Sequence, residues 1–277
     1  MRKLLSANLT RLWKNKTFLI ANLFVFLGSI GFNWLNYRTE LKYADTVIYV
    51  ETTLFNLFPL LNFVCGIFIS LFLGTEFDEN TIRNKIIVGH TRSKIYFAYY
   101  LTCIAASLLL LAEMLLFSGI AGWILLGEFG MDWTQILFLI LCCIFVTAVC
   151  SAIFVALTMN IHSKSGSVVV SMVMMLALTF AASYIYSRLA ESPMTYSNVT
   201  ITMDGVQYGD LIDNPAYVGG TARTVMEFLY DLLPTGQAAQ INNMQFDHCL
   251  RWPGLSLLLL ALTTLLGFLP FRKNAIR

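Results

Sequence analysis

An all-α polytopic membrane protein is the fold class this sequence predicts, and three observations predict it. Of 277 residues, 57% are apolar and only 12% charged, with a mean hydropathy of +0.70. A soluble domain carries about a quarter charged residues, so too little charge is present to cover a water-facing surface. Six stretches approach the roughly 20 apolar residues a helix needs to cross a bilayer. Finally, if those six are taken as spans, thirteen of the 18 Lys and Arg residues fall on one side. Together these exclude an ordinary soluble enzyme, a disordered chain and a disulfide scaffold.

Residues 1–16, MRKLLSANLTRLWKNK, place Leu5, Leu9, Leu12 and Trp13 at helical spacing among Arg2, Lys3, Arg11, Lys14 and Lys16. That pattern predicts an amphipathic helix in the inner membrane interface, with Trp13 at headgroup level; the alternative is a solvated basic leader that only sets topology. The spans follow at about 18–34, 54–74, 95–117, 136–157, 168–186 and 254–270. The third can run on to Leu126, which implies tilt or a break near Gly119 and Gly122. No cleavable signal precedes the first. The excess of Lys and Arg in the N-terminus, the loop after span 2, Lys164 and the tail places both termini in the cytoplasm. Small residues at Ala152/Ala156, Ala177/Ala181 and Ser118/Gly122 permit close helix packing.

Two connections carry content. The cytoplasmic loop 75–94 reads TEFDENTIRNKIIVGHTRSK. Acids at 78–79, bases further on and Gly89 predict a surface helix of about three turns over 78–88, with Ile82 and Ile86 on one face. The outer segment 188–252 contains NVTITMDGVQY, which predicts a hairpin turning at Asp204-Gly205. It also contains Val225, Phe228, Leu229, Leu232 and Leu233, a helical stripe that ends before Pro234 and needs a cover.

The chemistry of common enzymes is missing. There is no phosphate loop, no H-E-x-x-H and no G-x-S-x-G. His90, His162 and His248 are far apart, which argues against a histidine metal site. Cys65, Cys103, Cys142, Cys143 and Cys150 fall in spans, and Cys249 stands alone outside, so no disulfide framework is expected. The basic patches lack interleaved aromatics, so no nucleic-acid partner is expected; topology and anionic lipid explain them. Glu113, inside span 3, is the exception. A carboxylate there marks a substrate path or a helix–helix contact, unless it only reaches the outer interface or is held protonated.

Glu76-Phe77, then Thr81-Ile82-Arg83-Asn84-Lys85, then Gly89-His90-Thr91-Arg92 resembles the E-(Y/F)…GTIRNKL…G-x-(S/T)-R segment of bacterial ATP-binding-cassette permeases of the type-2 membrane-domain family, with the type V exporter fold. The likeness is greatest to permeases of low-GC Gram-positive bacteria. Asn80 stands where that family often has glycine, a mild departure because asparagine tolerates positive φ. Leu233-Pro234-Thr235-Gly236-Gln237 also resembles a family segment. The resemblance implies a permease that pairs with a second, identical or homologous permease and with two ATPase subunits. ATP and Mg would bind on those subunits and none on this chain. Residues 78–88 would be the coupling helix, with Glu76, Phe77, Thr81, Ile82, Arg83, Asn84, Lys85, Gly89 and Arg92 as coupling residues. The cargo would be an antimicrobial peptide, drug or other amphipathic molecule, exported. The alternative is a non-transporting sensor or immunity protein that binds a peptide at the outer face.

Overall fold

The computed structural model describes residues 1–42, 48–202, 205–246 and 248–273. The chain is all-α in class, with six helices among the described residues long and apolar enough to cross a membrane. A short amphipathic helix, α1 (Arg2–Lys14), leads into α2 (Lys16–Lys42), the first span. Only Asn15 separates them. Its side-chain oxygen accepts from the backbone N–H groups of Thr17 (2.8 Å) and Phe18 (3.2 Å), so it caps the start of α2. The second span is made of α3 (Val50–Leu54) and α4 (Phe58–Asp78), with Pro59 in the first turn of α4. Next come α5 (Thr81–Ile87) and α6 (Arg92–Leu126), a 35-residue helix that passes Gly119 and Gly122 unbroken. The fourth and fifth spans are α7 (Trp133–Ile161) and α8 (Lys164–Ala190).

Four short strands follow: β1 (Met194–Tyr196), β2 (Val199–Thr202), β3 (Gly205–Tyr208) and β4 (Leu211–Asp213). The inner pair is antiparallel, with Thr202 opposite Gly205; β1 and β4 pair below it. Gly205 therefore belongs to a strand rather than to the expected turn, and Asp204 lies outside the described residues. Helix α9 (Gly220–Leu232) stops before Pro234, which opens α10 (Pro234–Asn242), a helix the periodicity did not predict. The last span is α11 (Trp252–Lys273).

α4 and α7 are the most buried spans, whereas α8 and α11 leave most of their length uncovered. Exposed leucines, valines and phenylalanines along α2, α8 and α11 (Leu23, Val173, Phe180, Leu262 among them) suit lipid, which solvates them as well as protein does. The expected small-residue contacts divide. Gly267 of α11 sits against Ala156 of α7, and Gly122 packs on α3, whereas Ala177 and Ala181 are exposed. Two pairs of buried polar side chains link spans: Ser70 with Ser171 (2.8 Å), and Asn33 with Ser118 (3.0 Å). The spans cover little of the α9 stripe: Leu233 packs on the cluster of Ala182, Ile185 and Tyr230. Val225, Phe228 and Leu229 remain exposed, and Tyr230 and Asp231 are the buried positions.

Candidate functional site

α4 carries its apolar run into Thr75-Glu76-Phe77-Asp78, so a spanning helix ends on a carboxylate. Glu76 is only 2% exposed. Arg11 of α1 reaches it at 2.8 Å, and the Lys85 ammonium of α5 lies 3.5 Å away. The Tyr99 hydroxyl of α6 donates to it. Thr81 hydroxyl lies against both its carboxylate and its carbonyl, the latter at 2.9 Å. Lys85 donates in turn to Tyr99 and to Asn8 Oδ1 (3.2 Å). Burial pulls Lys85 below the ordinary lysine value; the Glu76 charge opposes this and the Arg11 charge adds to it. One carboxylate thus joins four helices, and every bond to its oxygens is charge-assisted, which makes each stronger than a neutral one.

The backbone explains how α5 is held there. Asp78 still belongs to α4, so the acids at 78–79 close one helix rather than opening the next. Asn80 adopts φ 55°, a left-handed conformation that asparagine accepts more readily than most residues. The chain turns there, and α5 has only seven residues, about two turns instead of three. Gly89, at φ 97°, lets the chain leave, with its N–H on the Ile86 carbonyl (2.9 Å) and the His90 N–H on that of Lys85 (3.1 Å). Ile82 is fully buried and Ile86 half-buried. Facing out are Arg83 and Asn84 with Ile87 (73% exposed) and Val88 (77%). Two adjacent β-branched apolar residues this exposed beside a cation make a surface suited to a protein partner.

Two further contacts widen the junction. The Phe77 ring meets the His162 ring edge-on at 5.0 Å, at the turn between α7 and α8. Burial and then Arg92 hold His162 below the usual histidine value. Arg92 donates to the Arg272 carbonyl (3.3 Å) at the end of α11.

The structure brings Glu76, Thr81 and Lys85 together but separates them from Arg83, Asn84 and Gly89, which lie on the exposed side. Lys85 is therefore not part of an outward basic face, and Arg92 contacts α11. In α1 the buried positions are Leu4, Asn8 and Leu12, packed against α6 and α2; Leu5 and Leu9 are half-buried flanks and Trp13 is 59% exposed. The helix rests on protein, which is why the buried stripe is rotated from the leucine pattern. The sequence marks Arg11 only as one of the basic residues of α1 and does not mark Asn8 or Tyr99. An asparagine at i+4 between Leu4 and Leu12 was the available signal for Asn8; a tyrosine inside a span gave none for Tyr99. Glu113 stands apart on α6, half-buried, with no hydrogen-bond partner for its Oε2 among the described residues. No group of three His, Cys, Asp or Glu suited to a metal occurs among the described residues.

Comparison with known proteins adds one finding. The model of a family described as ABC-2 family transporter protein matches residues 6–183. That range runs from α1 into α8 and contains every residue that bonds to the Glu76 carboxylate. No match is found among curated proteins.

Proposed function

Because the chain belongs to the ABC-2 family of transporter membrane proteins, whose permeases generally work with ATPase subunits, we propose that it is the permease of an ATP-driven exporter and that α5 is its coupling helix. Both termini and α5 then face the cytoplasm, as the Lys and Arg excess favours. Two ATPase subunits hold ATP and Mg below the membrane, and a second permease completes the pore. The cargo is an antimicrobial peptide, a drug or another amphipathic molecule moved outward.

The Glu76 junction is the observation that carries this reading. A partner pressing on Arg83, Ile87 and Val88 moves α5 as a unit, because Ile82 and Lys85 anchor its other side. Glu76 passes that displacement straight into α4, through Arg11 to α1 and through Tyr99 to α6. Phe77 passes it to the α7–α8 turn. Charge-assisted bonds resist stretching better than apolar sliding contacts, so the junction transmits rather than absorbs the motion.

The test is copurification of ATPase subunits with the tagged chain from its own membrane, followed by ATPase assay. Ile87→Asp and Arg83→Ala should lose the ATPase while the chain stays folded, since both side chains are exposed. Ile82→Asp is the wrong variant for this purpose, because it would disrupt the buried side of α5. Recovery of the chain with no ATPase, and no ATP-dependent efflux, would favour the sensor or immunity reading instead.

A further inference from the structure

The end of the molecule remote from Glu76 holds another buried carboxylate. Asp231 of α9 is 2% exposed. Its Oδ1 accepts from Gln240 Nε2 and from Trp252 Nε1, each at 3.2 Å, and its backbone carbonyl accepts from Gln237 Nε2 at 2.6 Å. Its Oδ2 has no hydrogen-bond partner among the described residues. An asparagine would receive Gln240 and Trp252 as well as an aspartate does. The charge is thus unused by the fold, although a buried carboxylate with an unserved oxygen is costly.

Asp231 lines a cavity of about 290 Å³ between the end of α8, α9 and the end of α10. Arg223 and Glu227, also in its wall, pair with each other at 3.1 Å and cancel. His248 stands exposed in the same wall. The rings of Tyr186 and Tyr230, 6.1 Å apart, form the remaining side. Burial, then Tyr186 and Asp231, push the Tyr230 hydroxyl up to about 12, so it stays neutral and can donate or accept. A net negative cavity with aromatic walls favours a cation. The volume falls just below the range usual for drug-sized ligands, which favours a small group.

We propose that this cavity binds a primary ammonium group, seated on Asp231 and flanked by Tyr186 and Tyr230. A peptide lysine and an aminophospholipid headgroup both supply that chemistry. The inference is independent of the transport reading, since binding is measured without ATP or a partner subunit.

Titration calorimetry on the full chain in phosphatidylcholine nanodiscs tests it. The probes are acetyl-Gly-Lys-Gly-amide and the same peptide with norleucine for lysine. The lysine peptide should bind saturably and the norleucine peptide should not. Asp231→Asn, which keeps the acceptor for Trp252, should weaken binding by roughly tenfold or more, the usual range for a hydrogen bond to a charged group. Ala190→Trp, at an exposed position in the cavity wall, should weaken it without touching Asp231. Added phosphatidylethanolamine that competes assigns the site to the headgroup; failure to compete assigns it to a soluble amine, and both uphold the ammonium site. No saturable binding of the lysine peptide, equal binding of both peptides, or equal affinity in Asp231→Asn overturns it.

Discussion

Replacing Glu76 by Gln removes one charge from the centre of the junction while keeping its shape. The glutamine oxygen can still accept from Tyr99 or Thr81, but its amide then points donors toward Arg11. Arg11 has 40% of its side chain in solvent and can rehydrate at small cost. Lys85 has 18% exposed and cannot. Removing one partner of a buried ion pair costs about 3–5 kcal/mol. Lys85, already pulled down by burial, can lose its proton and recover part of that. A net loss of about 2–3 kcal/mol follows, or a fall in melting temperature of roughly 4–12 °C for a chain of this size. The double variant Glu76→Gln/Lys85→Met should be more stable than the sum of the two single variants predicts, by about 1–3 kcal/mol. Thermal unfolding in detergent reads the stabilities, and ATPase stimulation by the reconstituted complex reads the coupling. Single variants within about 0.5 kcal/mol of the parent, or strictly additive losses, would refute the view that Glu76 holds α5 electrostatically.

Three more expectations concern the α7–α8 turn, the packing of α11 and the orientation of the chain. His162 is held below its usual 6.5, so the unfolded chain takes up its proton first as pH falls. The stability this neutral histidine contributes is complete above 6.5 and is lost as pH drops through the folded value; His162→Asn should flatten that decline, measured by melting at successive pH values. At Gly267 an added Cβ would lie 2.5 Å from that of Ala156 and 2.5 Å from the Tyr96 hydroxyl. Gly267→Ala should therefore cost about 1–3 kcal/mol by overpacking, whereas Gly254→Ala, which meets nothing within 4 Å, should leave the melting temperature level or higher. For topology, Ser192→Cys on a Cys249→Ser background should react with an impermeant maleimide in intact cells and Asn84→Cys only after permeabilisation; the reverse pattern would invert the proposed orientation.

What the sequence alone determined is the class and the count of spans, because transfer of about 20 residues into hydrocarbon depends on composition and length and not on neighbours. It also marked the stretch 76–92 as special, and asparagine at 80 as able to turn left-handed. It did not reveal which charges meet. Helical period shows that Arg83, Asn84 and Lys85 diverge around α5, but not that Lys85 turns inward, because the inward direction is set by Glu76, Asn8 and Tyr99 arriving from three other helices. In water, an apolar face reports burial against protein. In a bilayer, lipid and protein neighbours are equally apolar, so the side on which α2, α8 or α11 packs leaves no periodic trace. The same ambiguity rotated α1 from its leucine stripe onto Leu4, Asn8 and Leu12. α10 escaped because its buried face is mostly small and polar (Thr235, Gly236, Gln237, Ala238, Gln240), and such residues signal burial only once the partners that satisfy them, Asp231 and Ser256, are in place.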